Sequence, residues 1–153
     1  MNKPDLSGEW TLNREASQLS PSIAPVVDGG FVRFDHRDPH VSVHLSISMN
    51  GKPFEFTFDR VTDGRELTWE SPEGPGACSA SWDEDALVFS DTTPTPNGAM
   101  TIVFRYQLQD EGRRLCAAEQ LRGAGREMDN VWVFDRTDAA GPEDRPYDRT
   151  DPR

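Results

Sequence analysis

The chain has 153 residues and a net charge of −11, with 35 % hydrophobic and 28 % charged residues. That is the size of one domain around one core, and its 8 Phe and 4 Trp supply large apolar area from few residues. The acidic balance, without a basic stripe, argues against nucleic acid and anionic membrane surfaces as partners, and no stretch approaches the roughly 20 apolar residues of a membrane-spanning helix.

From the N-terminus, Met1 to Asp5 lacks the apolar run of a signal peptide. A cytoplasmic setting is therefore expected, with Cys78 and Cys116 reduced. The dominant signal beyond is alternation at period two, broken by turn residues. Val41, Val43, Leu45, Ile47 and Met49 alternate with Ser42, His44, Ser46 and Ser48. Phe54, Phe56 and Phe58 follow in the same manner, and Met100, Ile102, Phe104, Tyr106 and Leu108 repeat it later. Each run describes an antiparallel strand with one face inward and one wet.

Strands are predicted at approximately 7–13, 31–36, 41–49, 53–60, 65–70, 77–82, 86–91, 99–108, 114–122 and 127–136. Arg14 to Gly30 reads as one long connection, with at most a helical turn at Glu15–Leu19 before Pro21 and Pro25. Asn50-Gly51 is a two-residue hairpin signal, and Asp63-Gly64, Asp83-Glu84, Asp110-Glu111-Gly112 and Gly123-Ala124-Gly125 supply further turns. Pro39, Pro72, Pro75, Pro94 and Pro96 are placed in connections, and Pro53 at a strand start. Sequential hairpins imply an all-β, antiparallel up-and-down meander of about ten strands, eight being the alternative. Such a meander is expected to close into a barrel, because closure removes exposed edges. The barrel would occupy residues 1–136, followed by a flexible charged tail at 137–153 with little to bury.

The two ends carry a resemblance. Leu6-Ser7-Gly8-Glu9-Trp10-Thr11-Leu12 resembles the Gly-x-Trp first strand of the lipocalin and fatty-acid-binding-protein (calycin) superfamily. Val131-Trp132-Val133-Phe134-Asp135-Arg136 resembles its closing strand. The resemblance implies that Trp10 seals the closed end and that Arg136 packs across it. Glu15-Ala16-Ser17 after the opening is similar to bacterial lipocalin-like proteins, and ten strands favour the fatty-acid-binding version. One departure stands out: many fatty-acid carriers hold the ligand carboxylate with an Arg-x-Tyr pair on the last strand, where this chain has Trp132-x-Phe134.

Function is read from the inward faces. Met100, Ile102, Phe104, Phe54, Phe56, Trp69 and Trp132 form a candidate apolar wall. Tyr106, Glu119 and Asn130 lie in phase with apolar neighbours, and Arg60 follows Phe58 in phase. An inward Glu119 needs a partner, a water or a ligand. An internal hydrogen-bond network, or a bulge turning Glu119 outward, is the other reading. The expected ligand-binding set is thus Arg60, Trp69, Phe104, Tyr106, Glu119, Asn130 and Trp132, taking a small, largely apolar molecule. The alternative is an isomerase, cyclase or hydratase with Glu119 or Tyr106 as general acid or base. His36, His40 and His44 read as solvated turn or surface residues, and Cys78 and Cys116 as small buried fillers. No metal or cofactor is expected, no nucleophile elbow or phosphate loop is present, and the assembly is a monomer or homodimer.

Overall fold

A computed structural model describes residues 3–137 of the chain. Its strands are β1 (Gly8–Leu12), β2 (Val27–Arg37), β3 (His40–Met49), β4 (Lys52–Val61) and β5 (Leu67–Ser71). They continue with β6 (Gly74–Asp83), β7 (Ala86–Thr95), β8 (Gly98–Gln109), β9 (Arg114–Gly123) and β10 (Arg126–Arg136). A single antiparallel sheet joins them in the order β4-β3-β2-β1-β10-β9-β8-β7-β6-β5. The first strand pairs with the last, Trp10 opposite Arg136 and Leu12 opposite Phe134, so the sheet curls around one core. The expected tail falls outside the described residues, apart from Thr137.

Alternation becomes burial as the meander requires. Along β9, Leu115, Ala117, Glu119 and Leu121 are buried. The Asn50-Gly51 hairpin has φ of 52° and 77°, both in the left-handed region that a two-residue turn of this kind needs. Trp10 is fully buried and belongs to one core cluster with Leu6, Val32, Phe34, Leu87 and Leu115.

Four expectations are corrected. The barrel is not closed by a ladder: β4 and β5 are the two ends of the sheet and do not pair. β2 begins at Val27 rather than near 31, because Gly29 and Gly30 sit in the ladder behind a bulge, not in a turn. The helical turn lies later than Glu15–Leu19: Ala24 N–H donates to Ser20 O and Val27 N–H to Ile23 O, with Pro21 near its start, where a missing N–H costs least. Pro75 and Pro94 lie in strands. Pro75 pairs with Glu70 of β5 and Pro94 with Ala99 of β8, and the β6–β7 ladder stops at Ala77–Thr92, so each proline has only one neighbouring strand.

Candidate functional site

Inside the barrel lies a cavity of about 380 Å³. Its walls come from β3 and β4 (Leu45, Ile47, Met49, Phe54, Phe56, Phe58) and from β7 to β10. The latter contribute Phe89, Asp91, Ile102, Phe104, Tyr106, Ala117, Glu119, Trp132 and Phe134. The register explains the convergence on one side: Phe104 and Asn130 both stand opposite Glu119, while Tyr106 and Trp132 both stand opposite Ala117.

Of the predicted site residues, Phe104, Tyr106, Glu119 and Trp132 line this space. Glu119 is buried and accepts two hydrogen bonds on Oε1, from Asn130 Nδ2 at 3.0 Å and Trp132 Nε1 at 2.8 Å. Oε2 takes no donor among the described residues. The Tyr106 ring is held edge-on by Phe34 and Phe89, with centroids 5.2 and 5.5 Å away. Its hydroxyl has no partner among the described residues either, although the residue is only 2 % exposed. Burial first, and then the charges of Glu119 and Asp91, push that hydroxyl well above its ordinary pKa, so it stays a neutral O–H.

The other three predicted residues stand behind or beside the wall. Asn130 is buried and does not line the cavity; its Oδ1 accepts from Ser20 N–H at 2.7 Å, tying the β1–β2 connection to Glu119. Arg60 places its guanidinium over Phe58 at 4.7 Å and donates from Nη2 to Asp91 at 2.9 Å. That contact spans from β4 to β7 across the unpaired edges. Trp69 on β5 is 41 % exposed and lies against Gly76, the cross-strand partner whose missing side chain makes room for the indole. Met100 is likewise outside the lining, whereas Ile102, Phe54 and Phe56 are within it.

Phe54 and Phe56 line the cavity yet remain 47 % and 54 % exposed. The cavity therefore meets solvent along the β4 side. With Leu67 and Trp69 of β5, these rings rim the gap in the sheet.

Sequence reasoning missed Asp91, which stands in phase with Leu87 and Phe89; that parity was the available signal. It also misplaced His36, which is buried on β2 rather than solvated in a turn. Leu6 N–H donates to its Nδ1 at 3.1 Å, so Nε2 carries the ring proton and donates to Asp38 Oδ1 at 3.1 Å. Trp82 Nε1 and Thr62 Oγ1 donate to the same oxygen. His40 is exposed, and His44 is half-buried beside Glu55. Cys78 and Cys116 are free and half-buried instead of core fillers. Cys116 stands out of phase with the buried Leu115 and Ala117, whereas Cys78 is in phase with the buried Ala80 but pairs on one side with the short edge strand β5.

The far end is sealed. Arg136 lies over the Trp10 indole at 4.1 Å and donates to Gly112 O and Ser7 O, both at 3.0 Å. Trp10 Nε1 donates to Leu6 O. Gly8 has φ +125°, and a Cβ there would stand 2.7 Å from Arg136 Nη1, so the Gly-x-Trp spacing admits the guanidinium.

No protein-family profile matches the chain, and no curated protein matches it in sequence. Solved structures do. The fatty acid binding protein of Schistosoma mansoni in complex with arachidonic acid is similar at 15 % identity and TM-score 0.54, covering 86 % of this chain and 95 % of that one. The zebrafish ileal bile acid-binding protein complexed with cholic acid is similar at 11 % identity and TM-score 0.54, covering 86 % and 98 %. Secretory abundant heat soluble protein 4 of Ramazzottius varieornatus is similar at 12 % and TM-score 0.56, covering 89 % and 98 %. At these identities the likeness establishes the fold: an all-β, fatty-acid-binding-protein-like barrel. These three are animal proteins and lend no support to a bacterial lipocalin-like closest relative.

Proposed function

We propose that the protein binds a small, largely apolar molecule inside the barrel. The observation that carries this is the cavity itself: about 380 Å³, walled almost wholly by aliphatic and aromatic side chains, with a few polar groups at one side. Two proteins of the same fold were solved with arachidonic acid and with cholic acid, which favours binding over the catalytic alternative. In this reading Phe104 and Trp132 supply apolar contact, and Tyr106 and Glu119 meet the ligand's polar end. Asn130 fixes Glu119, while Arg60 and Trp69 hold the rim of the gap. A cytoplasmic setting, a monomer or homodimer and no nucleic-acid partner complete the proposal, the last supported by the net charge of −11. Among the described residues no helix is long and apolar enough to cross a membrane.

Native mass spectrometry of protein purified without denaturation, together with titration of the uncharged dye Nile red, tests the reading. The expected result is saturable binding with one-to-one stoichiometry that Phe104→Asp abolishes in a folded variant. Absence of saturable binding, or binding indifferent to that substitution, overturns it.

A further inference from the structure

The cavity's polar side has one electrostatic character. Its ionisable lining residues are Asp91, Glu119 and Tyr106, and none of the lining residues is cationic. Carboxylates only accept hydrogen bonds. Glu119 Oε1 is occupied by Asn130 and Trp132, which leaves Oε2 as the oxygen for an incoming donor. Asp91 Oδ1 is occupied by Arg60. Arg60 is the nearby cation; it stands outside the lining, stacked on Phe58 and paired through Nη2 with Asp91, and its buried Nε has no partner among the described residues. The hydroxyl of Tyr106, a residue 2 % exposed, has no partner among the described residues; it supplies one proton and otherwise accepts.

Resting on the proposed binding of an apolar molecule, we infer that the cavity selects a ligand whose polar end donates hydrogen bonds, an alcohol or an amine, over the carboxylate of the same hydrocarbon. The reason is elementary. A ligand carboxylate would bring another acceptor-only anion into an apolar space already holding Glu119, whose donors are neutral, and Asp91, whose charge Arg60 offsets from outside the lining; a single tyrosine hydroxyl cannot solvate it. An alcohol donates to Glu119 Oε2 and accepts from Tyr106. An ammonium donates and gains charge attraction as well. The last strand agrees, since Trp132 and Phe134 place no cation in the cavity. The arachidonic and cholic acids bound by the two solved proteins are carboxylic acids, so this chain is expected to differ from both in ligand class.

The test is a matched series, decanol, decylamine and decanoate, titrated calorimetrically at neutral pH into the wild-type protein, with Nile red as the uncharged reference. Decanol and decylamine are expected to bind about tenfold or more tightly than decanoate, the penalty for juxtaposed like charges. Glu119→Gln and Asp91→Asn, each checked for the wild-type circular dichroism spectrum, are expected to narrow that preference. Decanoate binding as tightly as decanol in the wild type overturns the inference. So does a preference unchanged in both variants, or binding of Nile red with none of the three. If neither the dye nor any of the series binds, the binding proposal fails as well, which separates the two failures.

Discussion

The sealed end of the barrel and the β4–β5 side are made from the same alternating strands but treat their aromatic and polar groups in opposite ways. At the sealed end Trp10 is fully buried, its indole N–H is bonded, and Arg136 is spread over it with two carbonyl partners. His36 and Asp38 are bonded there too, with Asp38 Oδ1 receiving three donors. On the β4 side, Phe54 and Phe56 stand half in solvent, and the neighbouring cavity holds a tyrosine hydroxyl and a carboxylate oxygen without partners among the described residues. Groups that satisfy one another stabilise the fold; groups left free are available to a ligand, at some cost in stability. The difference teaches that in this chain the groups that hold the fold together and those proposed to meet a ligand lie in different regions of the same barrel.

The sharpest way to break the comparison is at Trp10. Trp10→Ala is expected to cost about 3–5 kcal/mol, as large aromatic deletions from cores do; a loss under about 1 kcal/mol in urea unfolding would place the stability elsewhere. Next is the acid limb. Burial raises the Asp38 pKa, but the hydrogen bonds from His36, Trp82 and Thr62 together outweigh it and hold it below the ordinary 3.8. Asp135 is held low by its hydrogen bond from Arg114. A depressed folded pKa stabilises fully above the unfolded value and loses that contribution as pH falls through the folded one. Stability should therefore decline below about 3.8. Asp38→Asn should flatten part of that decline and cost about 1 kcal/mol at neutral pH. An unchanged acid profile in the variant counts against the network. The smallest stability effect belongs to the open side: Phe56→Thr is expected within about 0.5 kcal/mol of wild type while weakening Nile red binding. A large stability loss there would erase the contrast between the two regions.

Much of the fold is legible in the chain because period two is a property of the backbone. Alternation from Val41 to Met49 and from Met100 to Leu108 states which side chains share a face, and Asn50-Gly51 states where the chain reverses. The parity of Tyr106, Glu119 and Trp132 with their apolar neighbours likewise determines that they face inward, and the spacing of Gly8 and Trp10, with Arg136 far along the chain, marks the sealed end. Tertiary structure decided the rest. Parity does not say whether a strand has a neighbour on both sides, so the unpaired edges of β4 and β5, and the exposure of Phe54, Phe56 and Trp69, appear only when the sheet is assembled. Nor does it say which distant group lies across the barrel. Arg60 meets Asp91 from a separation of 31 residues, and His36 is buried because residues 5–7 fold back over it. Local backbone chemistry sets the face of each side chain; the curl of the whole sheet sets its partner.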